Sequence, residues 1–332
     1  MRRALAIQEL AGPATLVVLA ALLGTLVSAS TQGYFTDALV KVAIVVALYV
    51  FVGNSGVLSF GHISFVAIGA WTAGVLSVPA SEKPAIMPNL AHFLRERTAG
   101  NLTSLLLAAA VGCAVALVCA LPLMRLSGLA AGIATFAVLE ITHNLLRYEE
   151  KIGPGLNTFS SVPETTGLRQ AAIGALIVIV VAFVYGKSRY GRLLRATRED
   201  APAASAIGAS VYRQRVIAFA ISGALAGLAG GLYVHLLPLN TETVYLDLTF
   251  ITLAMLVIGG ATSLWGAVVG ALAVSALDSY LAVAENGTSF LGWHIDLPAG
   301  TRVVVVGTLM AAVLILKPSG ITGGREFKVW PR

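Results

Sequence analysis

The side chains in this sequence that could do chemistry are few and do not converge. Five histidines, His62, His92, His143, His235 and His294, are scattered along 332 residues. Neither an HExxH pair nor a paired-acid motif of catalytic spacing occurs. Cys113 and Cys119 share one apolar run, where packing is the expected role of both. Glu140 and Asp278 are the acids that read as well inside apolar runs. Each would cost about 2.5–3.5 kcal/mol at the centre of a lipid-embedded helix. No GxxxxGK[ST] phosphate loop is present. The chain is therefore expected to be non-catalytic, with no cofactor and no metal of its own. If it uses ATP, another chain must hydrolyse it.

What the sequence does contain is a basic segment between two long apolar runs. Lys187, Arg189, Arg192, Arg195, Arg198, Arg213 and Arg215 surround a patch of small residues. Pro202 lacks an N–H and disfavours helix at Ala201, so a helix cannot pass through it cheaply. Asp200 can cap a new helix that carries proline in its first turn and runs to about Ala209. Ala203, Ala204, Ile207 and Gly208 would then form a small, nearly flat face. A partner could approach it closely, with the arginines pairing to acids on that partner. The plainer reading is a basic loop that only orients the chain.

The elements that must position this segment are membrane helices. Hydrophobic residues make up 57% of the chain and charged residues 11%, against about 25% charged in soluble domains. Apolar runs long enough to cross a bilayer fall at roughly 11–30, 36–53, 56–78, 102–123, 127–147, 170–186, 215–237, 248–260, 264–283 and 299–316. The expected fold is an all-α polytopic membrane protein, one domain over 1–332, with about ten transmembrane helices. The eighth run is short, and the third is broken by polar and glycine residues near 54–64. Arg2 and Arg3 before an apolar run ending Val27-Ser28-Ala29 resemble a signal peptide, but the run is nearer twenty residues, so an uncleaved first helix is expected. The net charge of +6 flanks apolar runs and forms no solvated basic face, so no nucleic acid is expected. With the N-terminus inside, 14 of the 22 Lys and Arg fall on inside segments. That asymmetry follows the positive-inside rule and places both termini in the cytosol.

Two polar clusters and one glycine face stand out within the apolar runs. In 51–76, Gly53, Gly56, Gly61, Gly69 and Gly74 accompany Asn54, Ser55, Ser59, His62 and Ser64. Either a broken helix lines a wet path, or the segment is a packing seam whose hydroxyls bond backbone carbonyls. Thr135, Glu140, His143 and Asn144 share the fifth run, with Glu140 facing both His143 and Asn144 at helical spacing. They line a path or form a satisfied cluster. Gly223, Gly227 and Gly231, at four-residue spacing, make a close-packing face, expected inside the subunit in preference to a contact with another one.

The segment RLLRATREDAPAASAIGASVYRQRVIAFAISGALAGLAGGLYV resembles the coupling-loop signature of permease subunits of branched-chain amino-acid ABC importers. FVGNSGVLSFGHISFVAIGAWTAGVL at 51–76, MLVIGGATSLWGAVVGALA at 255–273 and the C-terminal LILKPSGITGG resemble further family motifs, in the family's order. The 51–76 motif resembles the second of the two permease types in such systems. Pro202, Ala261 and Ala267 depart from the pattern. The resemblance implies a coupling loop at 187–214, with Arg198, Glu199, Asp200, Ala203, Ala204 and Gly208 at the ATPase contact. It implies a translocation path that takes in Ser59, His62, Ser64, Thr135 and Glu140. The implied partners are cytosolic ATP-binding subunits, a second permease, an extracytoplasmic solute-binding protein and membrane lipid. The implied location is a bacterial inner membrane. The expected cargo is a branched-chain or other hydrophobic amino acid, with urea, short amides or another small organic solute as the alternative. A stand-alone channel or ion-coupled transporter is the reading from a different class.

Overall fold

The structure is a computed structural model that describes residues 2–285, 288–290, 293–295, 297–298 and 300–327. Met1, Lys328 and Arg332, which enter the count of basic residues or mark the termini above, lie outside the described residues.

Each of the ten apolar runs forms a helix. They are α1 (Arg2–Leu26), α2 (Ala29–Ser55), α3 (His62–Ser77), α6 (Asn101–Leu123), α7 (Gly128–Tyr148), α8 (Leu168–Lys187), α11 (Val211–Val234), α12 (Leu246–Gly259), α13 (Leu264–Glu285) and α14 (Thr301–Leu316). Two single turns, α4 (Lys83–Ile86) and α5 (His92–Arg95), sit in the connection after α3. Two short helices, α9 (Arg189–Glu199) and α10 (Ala201–Ala206), follow α8. A small antiparallel hairpin, β1 (Thr288–Phe290) with β2 (Trp293–Ile295), and an isolated bridge between Phe159 and Leu239 depart from the all-α expectation.

Seven of the helices are long and apolar enough to cross a membrane by length and composition; α3, α12 and α14 are shorter. The 14 residues of α12 rise only about 21 Å, against a hydrocarbon core of about 30 Å. Backbone breaks cause part of this shortening. Gly56 caps α2 at φ 69° and its N–H bonds the Val52 carbonyl, and the chain is not helical again until His62. Gly260, at φ 120°, ends α12. Length alone therefore carries seven spans, not the ten expected. The chain is a multi-pass membrane protein.

Packing centres on α2 and α11. From Leu39 to Ser55 α2 is buried on every side, as an all-round apolar helix must be. Helix α11 lies against α6, α3 and α2, and its glycines make that possible. A Cβ built on Gly223 would collide with Ala116 of α6 and stand 3.0 Å from the Gly112 carbonyl oxygen. One on Gly227 would strike the Ala108 carbonyl, and one on Gly231 would come within 2.8 Å of Leu105. On the opposite side Gly230 meets the Val66 backbone of α3. Gly223, Gly227 and Gly231 thus pack inside the subunit.

The end of the bundle that carries α9 and α10 also holds the chain's last described segment. The Ile321 N–H bonds the Ile258 carbonyl. The Glu326 carboxylate accepts the free N–H groups of Leu264 and Trp265, at 2.9 and 3.2 Å, at the start of α13, which satisfies two orphan donors of that helix. Burial pushes the Glu326 carboxyl above its ordinary range, and the two N–H donors oppose that shift. Lys187 pairs with Glu9 at this same end.

Candidate coupling surface and translocation path

The segment between α8 and α11 folds as two capped helices. Ser188 accepts the Gly191 N–H at 3.2 Å and starts α9. Asp200 accepts the Ala203 N–H at 2.9 Å and starts α10, with Pro202 in its first turn. The chain leaves α10 at Ala206, three residues before the expected end. Gly208 then takes φ 84°, its N–H bonds the Ser205 carbonyl and the Ala209 N–H bonds the Ala204 carbonyl. This paired closure is a glycine-dependent Schellman cap.

Only part of the expected small face is presented. Ala203 and Gly208 are exposed, a Cβ on Gly208 would meet nothing within 4 Å, and Ile207 stands 76% exposed. Ala204, by contrast, is 3% exposed and packs inward. Ile207 is therefore the projecting apolar side chain of this surface, with Ala203 and Gly208 beside it. Glu199 and Asp200 are exposed at the α9–α10 junction.

The arginines are not all free for a partner. Arg198 donates from Nη1 to the Gly53 carbonyl at 2.8 Å, and its Nε lies 3.4 Å from Glu199 Oε1. Arg195 donates to Asn54 Oδ1 at 2.8 Å and to the Gly186 carbonyl at 2.6 Å. Arg215 donates to the Leu126 carbonyl at 3.1 Å. With Lys187 on Glu9 and Arg192 on the Lys187 carbonyl at 2.9 Å, five of the loop's seven cations engage groups within the subunit, two of them at the break after α2. Arg189 and Arg213 remain exposed.

The polar residues at that break are interior. Ser59 Oγ and His62 Nδ1 are 2.7 Å apart. The His62 ring sits among Phe51, Phe65 and Phe219, with centroids 5.0–5.9 Å away. Ser59, His62 and Ser64 are each no more than 2% exposed. Thr135 Oγ1 accepts the Phe60 N–H at 3.2 Å and donates to the Gly132 carbonyl at 2.8 Å, while Gly61 abuts the Thr135 backbone. All four side chains are buried within the subunit; Ser59, His62 and Thr135 make the bonds above, while His62 Nε2 and Ser64 Oγ have no hydrogen-bond partner among the described residues.

Glu140 is different. It is exposed on α7, accepts Asn144 Nδ2 at 2.7 Å and takes the Tyr245 hydroxyl on its other oxygen. Donating to that carboxylate pushes the Tyr245 phenol up to about 12. The His143 ring stacks on Tyr245 at 3.9 Å, and Arg147 pairs with Glu242 at 2.5 Å. Together these groups form a polar face on the second half of α7 and the connection before α12. A carboxylate exposed on a membrane-spanning helix would be costly against lipid.

One charged cluster escaped the sequence reading. Lys41 pairs with Asp37 at 2.7 Å and with Asp278 at 3.2 Å, and Arg302 Nε approaches Asp278 at 3.4 Å. Lys41 and Asp278 are buried. The i,i+4 spacing of Asp37 and Lys41 was the available signal. Asp278 thus has two cationic partners, which its place inside an apolar run did not announce.

The described residues form a bundle of apolar helices, seven of them long enough to cross a membrane, beside a basic loop of two capped helices. Residues 30–314 match the family described as branched-chain amino acid transport system / permease component, and the chain belongs to that family. It is 26% identical over 341 residues to the high-affinity branched-chain amino acid transport system permease protein LivM of Escherichia coli K12, covering 92% of this chain and 73% of that protein. It is 32% identical over 154 residues to the probable branched-chain amino acid transport permease protein LivH of Methanocaldococcus jannaschii, covering 45% of each chain. It thus spans about half of LivH. It is also 29% identical over 164 residues to the autoinducer 2 import system permease protein LsrC of Shigella flexneri, covering 47% of this chain and 44% of that one. No solved structure matches the chain.

Proposed function

We propose that this chain is one permease of an ATP-driven importer for branched-chain or other hydrophobic amino acids, with ten membrane-crossing helices. It takes solute from an extracytoplasmic binding protein and shares its pore with a second permease. The observation that carries this reading is the family match over nearly the whole chain, with the similarity to LivM over 92% of it. Cytosolic ATPase subunits grip Ile207, Ala203 and Gly208. Arg198 and Arg195 pass the movement of α9 to the end of α2. The exposed Glu140 face of α7 borders the path between the two permeases, because lipid would not tolerate it. The protein sits in a bacterial inner membrane with both termini in the cytosol, as the positive-inside count supports.

The test is reconstitution with matched ATPase, partner permease and binding protein. ATP-dependent uptake of leucine, isoleucine or valine is expected, and uptake without any ATPase would sink the reading. A second reading keeps the importer and changes its cargo to another small solute, and the similarity to a permease named for autoinducer 2 import favours keeping it. Competition by unlabelled urea, amides and other solutes in the same assay separates the two.

A further inference from the structure

At the end of the bundle opposite α9 and α10, a cavity of about 440 Å³ opens between α12 and α14. One end is charged, lined by Lys41, Asp247, Asp278 and Arg302. The wall running away from it is apolar: Phe250, Ile251 and Ala254 on α12, Val306, Gly307 and Met310 on α14. Both helices start at the charged end. From Asp247 to Ala254 and from Arg302 to Met310 the helix rise gives the groove a length of about 10–12 Å. The shape is that of an amphiphile, with the head at the membrane surface and the tail pointing towards the midplane.

The lining also specifies the head. Two cations and two carboxylates face the cavity, so a net anion or a net cation gains less than a zwitterion. Asp278 is 7% exposed in its side chain, and its Oδ1 has no hydrogen-bond partner among the described residues. Arg302 Nε, 3.4 Å away, supplies charge there without a hydrogen bond. A buried carboxylate oxygen with an unmade bond needs a donor, and a primary ammonium is a donor with the matching charge. The Arg302 side chain is 42% exposed and has the fork geometry that suits a phosphate.

The tail side is equally definite. A Cβ on Gly307 would meet nothing within 4 Å, so the groove is open there. Next to it Val303 and Val304 stand 61% and 67% exposed, so the groove opens sideways onto an exposed apolar helix face. We propose that this groove holds a phospholipid with a primary ammonium headgroup. Its ammonium lies on Asp278 and Asp247, its phosphate on Arg302, and one acyl chain runs along α12 and α14 past Gly307. This site depends on the chain spanning the membrane and does not depend on which solute it carries.

Native mass spectrometry of the purified full chain tests it, with phosphatidylethanolamine, phosphatidylcholine and phosphatidylglycerol of identical acyl chains offered in parallel. Wild type is expected to retain phosphatidylethanolamine at least fivefold over the other two, since one lacks ammonium protons and the other lacks the cation. Arg302→Ala and Asp247→Asn should reduce that preference to the phosphatidylcholine level. Gly307→Phe fills the groove without touching a charge. It should abolish retention while gel filtration shows an unchanged particle. Equal retention of the three lipids by wild type, or undiminished retention by a well-folded Gly307→Phe, would overturn the proposal. A melting-temperature rise with free leucine that vanishes in Arg302→Ala, without lipid preference, would overturn it in favour of a soluble zwitterion.

Discussion

Arg198 reaches from α9 to donate a hydrogen bond to the Gly53 carbonyl in the last turn of α2, at 2.8 Å. That carbonyl is one of the four that a helix end leaves unpaired. The chain breaks immediately afterwards, at Gly56, whose position lies against the Arg198 side chain. Arg195 adds a second tie, to Asn54 at 2.8 Å. A short helix at the surface is thus held to the central helix of the bundle at its weakest point, where the backbone is already interrupted.

The first prediction concerns this tie. Arg198→Met keeps the aliphatic stem and removes the donor. A hydrogen bond from a charged group contributes about 1.5–3 kcal/mol. If Arg198 transmits movement, the variant should still co-purify with the ATPase at wild-type yield while ATP-driven uptake falls at least fivefold. Parallel loss of ATPase binding would instead place Arg198 on the partner contact. Arg198→Lys, which keeps the charge but not the fork, should give an intermediate rate.

The glycine seam gives a sharper stability test. Gly227 has the Ala108 and Gly112 backbones against it on one side, and its own carbonyl lies against Gly69 on the other. Even a methyl group forces helices apart, and overpacking of this kind costs about 1–3 kcal/mol. Gly227→Ala should lower the melting temperature in detergent, and Gly227→Leu should not accumulate in the membrane. Gly33 and Gly100, where an added Cβ meets nothing within 4 Å, should accept alanine with no measurable change.

How much of this was legible in the sequence depends on the kind of signal. A helix at each of the ten apolar runs followed from hydropathy, though only seven are long enough to span by length and composition, and the start of α10 followed from Asp200 and Pro202, because these are local effects of hydropathy and capping. The glycine spacing on α11 announced a close-packing face, and the α6 backbone that fills it lies about a hundred residues away. Burial on one side or another was not legible. Ala203 and Ala204 are identical side chains one residue apart, yet only the first is exposed. Ser59, His62 and Ser64 suited a wet path and a seam alike in sequence; their burial, with Phe51, Phe65 and Phe219 around the His62 ring, was not legible there. The Lys41–Asp278 pair joins residues 237 apart, which no local pattern can link.

The exposed carboxylate on α7 predicts a split between transport and stability. Glu140→Leu removes a polar group that faces out of the subunit. If that face borders a wet path, protein level and melting temperature should hold while uptake drops severalfold. Tyr245→Phe leaves Asn144 on the carboxylate and should have a smaller effect in the same direction. A rise in stability with normal uptake would mean that Glu140 faces lipid and lies off the path.

Orientation is tested by labelling. In a background with Cys113 and Cys119 replaced by serine, single cysteines at Ile207 and Arg325 should both resist a membrane-impermeant thiol reagent in sealed cells. A cysteine at Glu82, in the exposed connection after α3, should react. Labelling of Ile207→Cys from outside would reverse the positive-inside assignment.

The last prediction separates a partner contact from a fold contact within α10 and its C-terminal cap. Ile207 is 76% exposed and Ala204 is 3% exposed, three residues apart. Ile207→Glu puts a charge where an apolar knob projects into solvent, so the isolated subunit should insert and melt as wild type does. If an ATPase groove receives Ile207, the charge enters a desolvated contact. Loss of a central interface residue costs about 2 kcal/mol or more, which is over tenfold in affinity. ATPase co-purification and ATP-driven uptake should then both fail. Ala204→Glu puts the same charge under α10, where no partner is available, and an unpaired buried charge is expelled or unfolds its surroundings. It should lower the subunit's own stability before any partner is added. Thr31→Glu, at an exposed position near the start of α2, controls for charge alone and should change neither. If Ile207→Glu keeps full uptake with the ATPase still bound, this surface is not the grip, and α9 and α10 only anchor the orientation of the chain.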